Sequence, residues 1–94
     1  MNVGPDDRFA AAADVHARAF DGETVIVDLK RGDYFGLNDL GARFWDGALQ
    51  GKSARQVAES LEGMFEVTGE RLLADLVALA GELVDRGLLV LKSP

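Results

Sequence analysis

Apolar and polar residues alternate along the first third of the chain and recur at helical spacing along the rest. Val15, Ala17 and Ala19 oppose His16, Arg18 and Phe20 with a weak two-residue period. Asp21-Gly22 follows, the favoured signal for a tight hairpin, because both central residues of such a turn need positive φ. Glu23 to Leu29 reads as a second strand, with Val25, Val27 and Leu29 on one face and Thr24, Ile26 and Asp28 on the other. Lys30-Arg31-Gly32-Asp33 turns the chain again, and Gly32 suits its left-handed position. Tyr34 to Leu37 is the third strand. The pattern predicts a three-stranded antiparallel meander.

The period then changes. Asn38 is a good helix cap, and Leu40, Phe44, Trp45, Ala48 and Leu49 follow at helical spacing up to Gly51. Gly41 and Gly47 weaken that helix by roughly 1 kcal/mol each relative to Ala, and Gly41 suits a close backbone approach. Ser53 with Gln56 three residues on predicts a capping box, ahead of the stripe Val57, Ala58, Leu61, Met64, Phe65. Thr68 caps the third and longest helix, which runs to about Arg86, with Gly87 past its end. Leu88 to Leu91 is a short extended finish. Before all this, residues 1–14 hold Gly4-Pro5-Asp6-Asp7 and Ala10 to Ala13, with Phe9 the one large anchor. They read as a flexible N-terminal arm with at most one helical turn, ahead of a domain over 15–91. The expected order is β-β-β-α-α-α, an α+β fold with its elements segregated along the chain.

Composition narrows the function. Ninety-four residues make one domain, with little room for both a full core and a deep reaction cavity. The net charge of −6 argues against nucleic-acid binding, which leans on Lys and Arg. The absence of Cys removes thiolate catalysis, disulfides and cysteine-bound metals, and fits a cytoplasmic protein. No signal peptide and no membrane span reads through. His16 stands alone, too few ligands for a protein-only metal site, and reads as a half-exposed strand residue. No phosphate loop and no acid–base pair with a reaction geometry is present. The sequence therefore gives no support to an enzyme and implies no cofactor.

Two features point to binding. In the third helix, Leu72, Leu76, Leu79 and Leu83 line one stripe, and Leu73, Val77, Ala80 and Val84 a second beside it. Together they span roughly 160°, wider than the stripe of an ordinary surface helix. Either two layers of core clamp this helix, or one flank lines an open groove with Arg71 and Asp75 at its rim. The third strand is the other feature. As the last strand of a meander it is a sheet edge with unpaired N–H and C=O groups, and it contains no Pro. Tyr34 and Phe35 point to opposite faces, so either one anchors in the core and the other meets a ligand, or both are simply buried. Trp45 reads as core.

These residues resemble a family. The segment from Val25 through Asp33-Tyr34-Phe35-Gly36-Leu37-Asn38, the Gly41 and Trp45 helix, and Asp75-Leu76 with Leu83, Gly87, Leu88 and Leu89 look like PqqD-like proteins. These are the precursor-peptide recognition elements of ribosomally made, modified peptides. The resemblance covers about residues 15–91 and implies a winged helix-turn-helix-like domain, a meander followed by a three-helix bundle. It further implies that a precursor leader adds as an antiparallel strand beside Asp33, Tyr34, Phe35, Gly36 and Leu37. The facing wall would come from Arg71, Leu72, Asp75, Leu76 and Leu79, with Asp75 matching an acidic residue frequent in the family. A radical-SAM protein, or a leader peptidase and cyclase, would be the partner enzyme. Two other readings compete. One is a winged-helix DNA-binding regulator, disfavoured because the third helix exposes Glu70, Asp75, Glu82 and Asp85 against Arg71 and Arg86. The other is an accessory subunit of a tailoring enzyme with no peptide groove.

Overall fold

The computed structural model describes residues 3–21 and 23–92. Its elements are β1 (Phe9–Ala11), β2 (Val15–Phe20), β3 (Glu23–Asp28), β4 (Asp33–Leu37), α1 (Asp39–Leu49), α2 (Ala54–Leu61), α3 (Gly69–Asp85) and β5 (Leu89–Leu91). The predicted meander is present: β2, β3 and β4 pair antiparallel in that spatial order. Val15 lies opposite Asp28, and Thr24 opposite Leu37. Gly32 takes a φ of 75° in the turn before β4. Buried Asp28 closes the same turn, its Oδ1 accepting the N–H groups of Lys30 at 3.0 Å and Arg31 at 3.2 Å. Asp21 has a φ of 54°, as a tight hairpin turn requires of its first central residue. Gly22, the other half of that expected turn, lies outside the described residues.

The element order departs from the expected β-β-β-α-α-α. Residues 9–11, read from the sequence as part of a loose arm, form β1 and pair antiparallel with β5, Phe9 opposite Leu91. Phe9 is 1% exposed and meets the Phe44 ring edge-on at 6.0 Å. One aromatic side chain thus draws the segment into the core, against the low strand preference of its alanines. The residues before it are tied down as well. Pro5 accepts the Arg55 N–H at 2.9 Å, Asp6 accepts Arg55 Nε at 2.8 Å, and the Arg8 guanidinium donates to Gly51 O and Gln56 Oε1. The Asp6 hydrogen bond, with its charge, holds the Arg55 guanidinium above its ordinary pKa.

The helix ends are where the capping residues place them. Asn38 Oδ1 accepts the Gly41 N–H at 2.8 Å, and Ser53 and Gln56 form the reciprocal capping box. Thr68 Oγ1 accepts the Arg71 N–H at 3.1 Å, and Gly87 ends α3 with a φ of 75°. Gly47 permits the closest α1–α2 approach, since a methyl there would sit 2.6 Å from Val57 Cγ2. Gly41 is less tight, with Leu37 Cδ2 at 3.1 Å. The core joins Phe9, Ile26, Phe44, Trp45, Val57, Leu61, Leu72, Leu76, Leu83 and Leu89. Trp45 is core as expected, and its buried Nε1 has no hydrogen-bond partner among the described residues. No helix of the described residues is long and apolar enough to cross a membrane.

Candidate functional site

The hydrogen-bond alternation of the meander decides which backbone groups of β4 are free. The Leu29 N–H donates to Asp14 O at 2.9 Å, one step beyond the Val15–Asp28 pair. In an antiparallel ladder, bonded and non-bonded pairs alternate. His16 with Val27, Arg18 with Val25 and Phe20 with Glu23 are therefore the bonded pairs of β2 and β3. Thr24, Ile26 and Asp28 turn their backbone groups the other way, to Leu37, Phe35 and Asp33 of β4. The N–H and C=O groups of Tyr34 and Gly36 remain, and they face outward along an edge that carries no further strand among the described residues. The chain's own N-terminal strand pairs with β5 and not with that edge.

Side chains follow the same alternation. Ile26 and Asp28 are buried, so Phe35 and Leu37 share their inner face, and Tyr34 and Gly36 share the outer one. Tyr34 is 79% exposed, Phe35 half-buried and Leu37 buried. The expected division between these neighbours thus resolves with Phe35 facing inward. The Arg86 guanidinium, at the end of α3, lies 4.8 Å over the Phe35 ring. That carbon-to-centroid distance is a cation–π contact. Arg31 reaches across from the β3–β4 turn and donates to Arg86 O at 3.4 Å, while Asp28 sits 3.9 Å behind it. Asp28, Arg31, Asp33, Tyr34, Phe35, Arg86 and Leu88 surround a depression of about 310 Å³. At the other end of β4, Gly36 and Leu37 join Glu23, Thr24, Asn38, Asp39 and Ala42 around a second hollow of about 410 Å³.

The expected helix wall is only partly in place. Leu72 and Leu76 are buried in the core and present no open surface, because α1, α2 and β5 pack over α3. Ala80 joins the buried stripe while Leu79 stays half-buried, a small rotation from the sequence pattern. Arg71 and Asp75 are exposed and pair with each other at 3.3 Å. None of these five lines the depression around Phe35; the helix residue there is Arg86, a turn beyond the stripe. Arg31, Arg86, Asp28 and Leu88 were not legible as site residues. A turn arginine and a helix-end arginine converge only through the tertiary fold. The one sequence signal was Gly87, which fixes where α3 stops.

The family model of coenzyme PQQ synthesis protein D (PqqD) matches residues 23–89, more than half of the chain. The chain belongs to the PqqD family. Among curated proteins, none matches the sequence. Two solved structures are similar over nearly their whole length. One is lasso peptide synthetase B1 complexed with the leader peptide, 28% identical, covering 88% of this chain and 98% of that one, with a TM-score of 0.82. The other is TbiB1 in complex with the TbiA(beta) leader peptide, 25% identical over 90% and 99%, with a TM-score of 0.78.

Proposed function

We propose that this chain is a non-catalytic adaptor that captures the leader of a ribosomally made precursor peptide on β4 and presents it to a modifying enzyme. The observation that carries the reading is the outward-facing Tyr34 and Gly36 backbone, in a chain similar to two proteins solved with leader peptides. The guest adds as an antiparallel strand, so its N-terminal side lies near Leu37 and its C-terminal side near Asp33. Guest side chains opposite Phe35 fall on the inner face, between the ring and the end of α3. The wider site takes in Asp33, Tyr34, Phe35, Gly36 and Leu37, with Leu79, Asp75 and Arg71 further along the helix. The winged helix-turn-helix-like bundle serves as the frame that holds α3 beside the sheet.

Magnitudes say what such a guest must bring. Two free residues offer four backbone hydrogen bonds, each worth roughly 1 kcal/mol net. Ordering about five guest residues costs on the order of 1–2 kcal/mol apiece in backbone entropy. Backbone pairing alone therefore does not hold the guest. At least two buried apolar side chains, at about 1.5–3 kcal/mol each, tip the balance. Specificity thus resides in the inward-facing guest positions, and the affinity is moderate.

The stronger of the two structural likenesses favours a lasso-type precursor, and hence a leader peptidase and cyclase as the enzymes served, over a radical-SAM partner. The DNA-binding alternative draws no support from either likeness, and α3 exposes Glu70, Asp75, Glu82 and Asp85. The test is amide exchange on the isotopically labelled chain with the synthetic leader of the precursor encoded beside it. Exchange at Tyr34 and Gly36 slows at least ten-fold on saturation, while Phe35, already bonded to β3, changes little. Unchanged exchange at both residues in a saturated complex defeats the reading.

A further inference from the structure

A strand added antiparallel to β4 runs from the Leu37 end toward Asp33, so a captured precursor leaves the sheet beside the turn between β3 and β4. The residues to be modified follow the leader, and each extended residue advances about 3.3 Å. A processing enzyme therefore has to reach the precursor at that end of the sheet. The turn there is well held. Asp28 Oδ1 accepts the Lys30 and Arg31 N–H groups, and the Gly32 N–H donates to Asp28 O at 2.8 Å. Leu29 is fixed just before it, its own N–H donated to Asp14 O.

This turn displays apolar surface instead of hiding it. Leu29 lies two residues beyond Val27 on the outer face of the sheet, diagonal to Tyr34, the cross-strand partner of Val27. Leu29 and Tyr34 are 61% and 79% exposed. Lys30 follows, exposed and without an ion pair among the described residues. Lys30-Arg31 is also the one pair of adjacent basic residues in a chain of net charge −6. Apolar groups beside a free cation on a stiff turn mark an interaction surface, and they lose little freedom when a partner covers them. Phe20 is as bare, 73% exposed on the same face, but it sits opposite Glu23, at the Leu37 end of the meander.

We infer that Leu29 and Lys30, together with the outer side of the Tyr34 ring, are the docking point for the enzyme that processes the bound precursor. The partner surface they fit is an apolar pocket for Leu29 with a carboxylate at its rim for Lys30. This docking presupposes leader capture by β4, because the direction of the guest selects this end of the sheet over the other. Tyr34 joins the two events: its backbone N–H and C=O face the guest, while its ring stands on the outer face near Leu29. Leu29 and Lys30 themselves lie off the β4 edge, so docking and capture have separate readouts.

The test titrates the full chain, saturated with synthetic leader, into the modifying enzyme encoded beside it, and reads association by calorimetry. Leu29→Glu weakens the association roughly ten-fold or more, and Lys30→Glu about three- to five-fold. Both variants hold the leader within about two-fold of the parent chain. Phe20→Glu, an equal change at the far end of the same face, leaves association and leader affinity within about two-fold. Amide spectra matching the parent verify that each variant is folded. No association of the leader-saturated parent with the enzyme overturns the inference. So does a Leu29→Glu chain that docks as the parent does, or a Phe20→Glu chain that loses as much as Leu29→Glu. A parent chain that fails to bind the leader defeats the proposed function itself, whereas intact leader binding with undisturbed docking of Leu29→Glu defeats this inference alone.

Discussion

β2 and β4 are the two margins of one meander, yet under the proposed function only β4 selects a guest. Their backbones are alike. By the same alternation that frees Tyr34 and Gly36, Ala17 and Ala19 turn their N–H and C=O groups outward from β2, while the Val15 N–H is taken by Ala12 O at 3.3 Å. The surroundings differ. His16 to Phe20 are all exposed, a strand standing clear of the body. β4 is half sunk, with Leu37 buried, Phe35 under Arg86, and α1 following one residue after its end. An edge alone offers hydrogen bonds to any extended chain. An edge beside a side-chain wall discriminates among chains. A third margin, β1, has its partner in β5 and contributes to the core through Phe9.

The largest effect is expected at that third margin. Phe9→Ala removes a fully buried ring and costs roughly 3–5 kcal/mol, a large share of the 5–15 kcal/mol typical of a domain this size. Urea unfolding reads it as a lower midpoint with little change in slope. If β1 belongs to the fold and not to the site, leader affinity of the still-folded fraction is unaltered. A loss of affinity at full folding would place β1 in the recognition surface and dissolve the contrast between a closed margin and an open one.

Why β1 escaped the sequence and β4 did not is a matter of range. The meander announced itself through neighbouring signals: Asp21-Gly22, Gly32, and a two-residue period through Ile26 and Val27. The caps Asn38, Ser53 and Thr68 did the same for the helices. β1 instead depends on pairing Phe9 with Leu91 across nearly the whole chain, in an alanine-rich segment with little strand preference of its own. The site divided along the same line. The edge strand was local and legible. The Arg31–Phe35–Arg86 cluster joins a turn to a helix end fifty-five residues apart. The helical stripe was rightly seen as unusually wide, but half-burial of Leu73, Val77, Leu79 and Val84 around a buried row accounts for that width.

Next in size is a paired substitution that sets the two edges directly against each other. Gly36→Pro deletes an outward N–H and leaves the β3 ladder intact, and a Cβ there meets nothing within 4 Å. Loss of that hydrogen bond, with the ring standing in the guest's path, weakens leader binding roughly ten-fold or more by fluorescence anisotropy. Ala17→Pro makes the equivalent change on the outward side of β2, and there affinity stays within about two-fold. Equal losses from the two prolines would mean that the guest does not distinguish the margins. The wall beside β4 would then have no selective role.

The smallest effect probes the wall itself. Arg86→Ala removes a cation–π contact at a half-exposed site, worth about 0.5–1 kcal/mol, so the melting temperature falls by only a few degrees. Its effect on binding separates two roles. If Arg86 and the Phe35 ring together form the surface that an inward guest side chain meets, affinity drops two- to five-fold. The loss then depends on the guest residue opposite Phe35, vanishing when that residue is alanine. A uniform loss across guest variants would assign Arg86 to general electrostatic attraction of the peptide, which salt screens over about 8–10 Å. A repeat in about 0.5 M salt separates these outcomes, because the residue-dependent loss persists there and the electrostatic one fades.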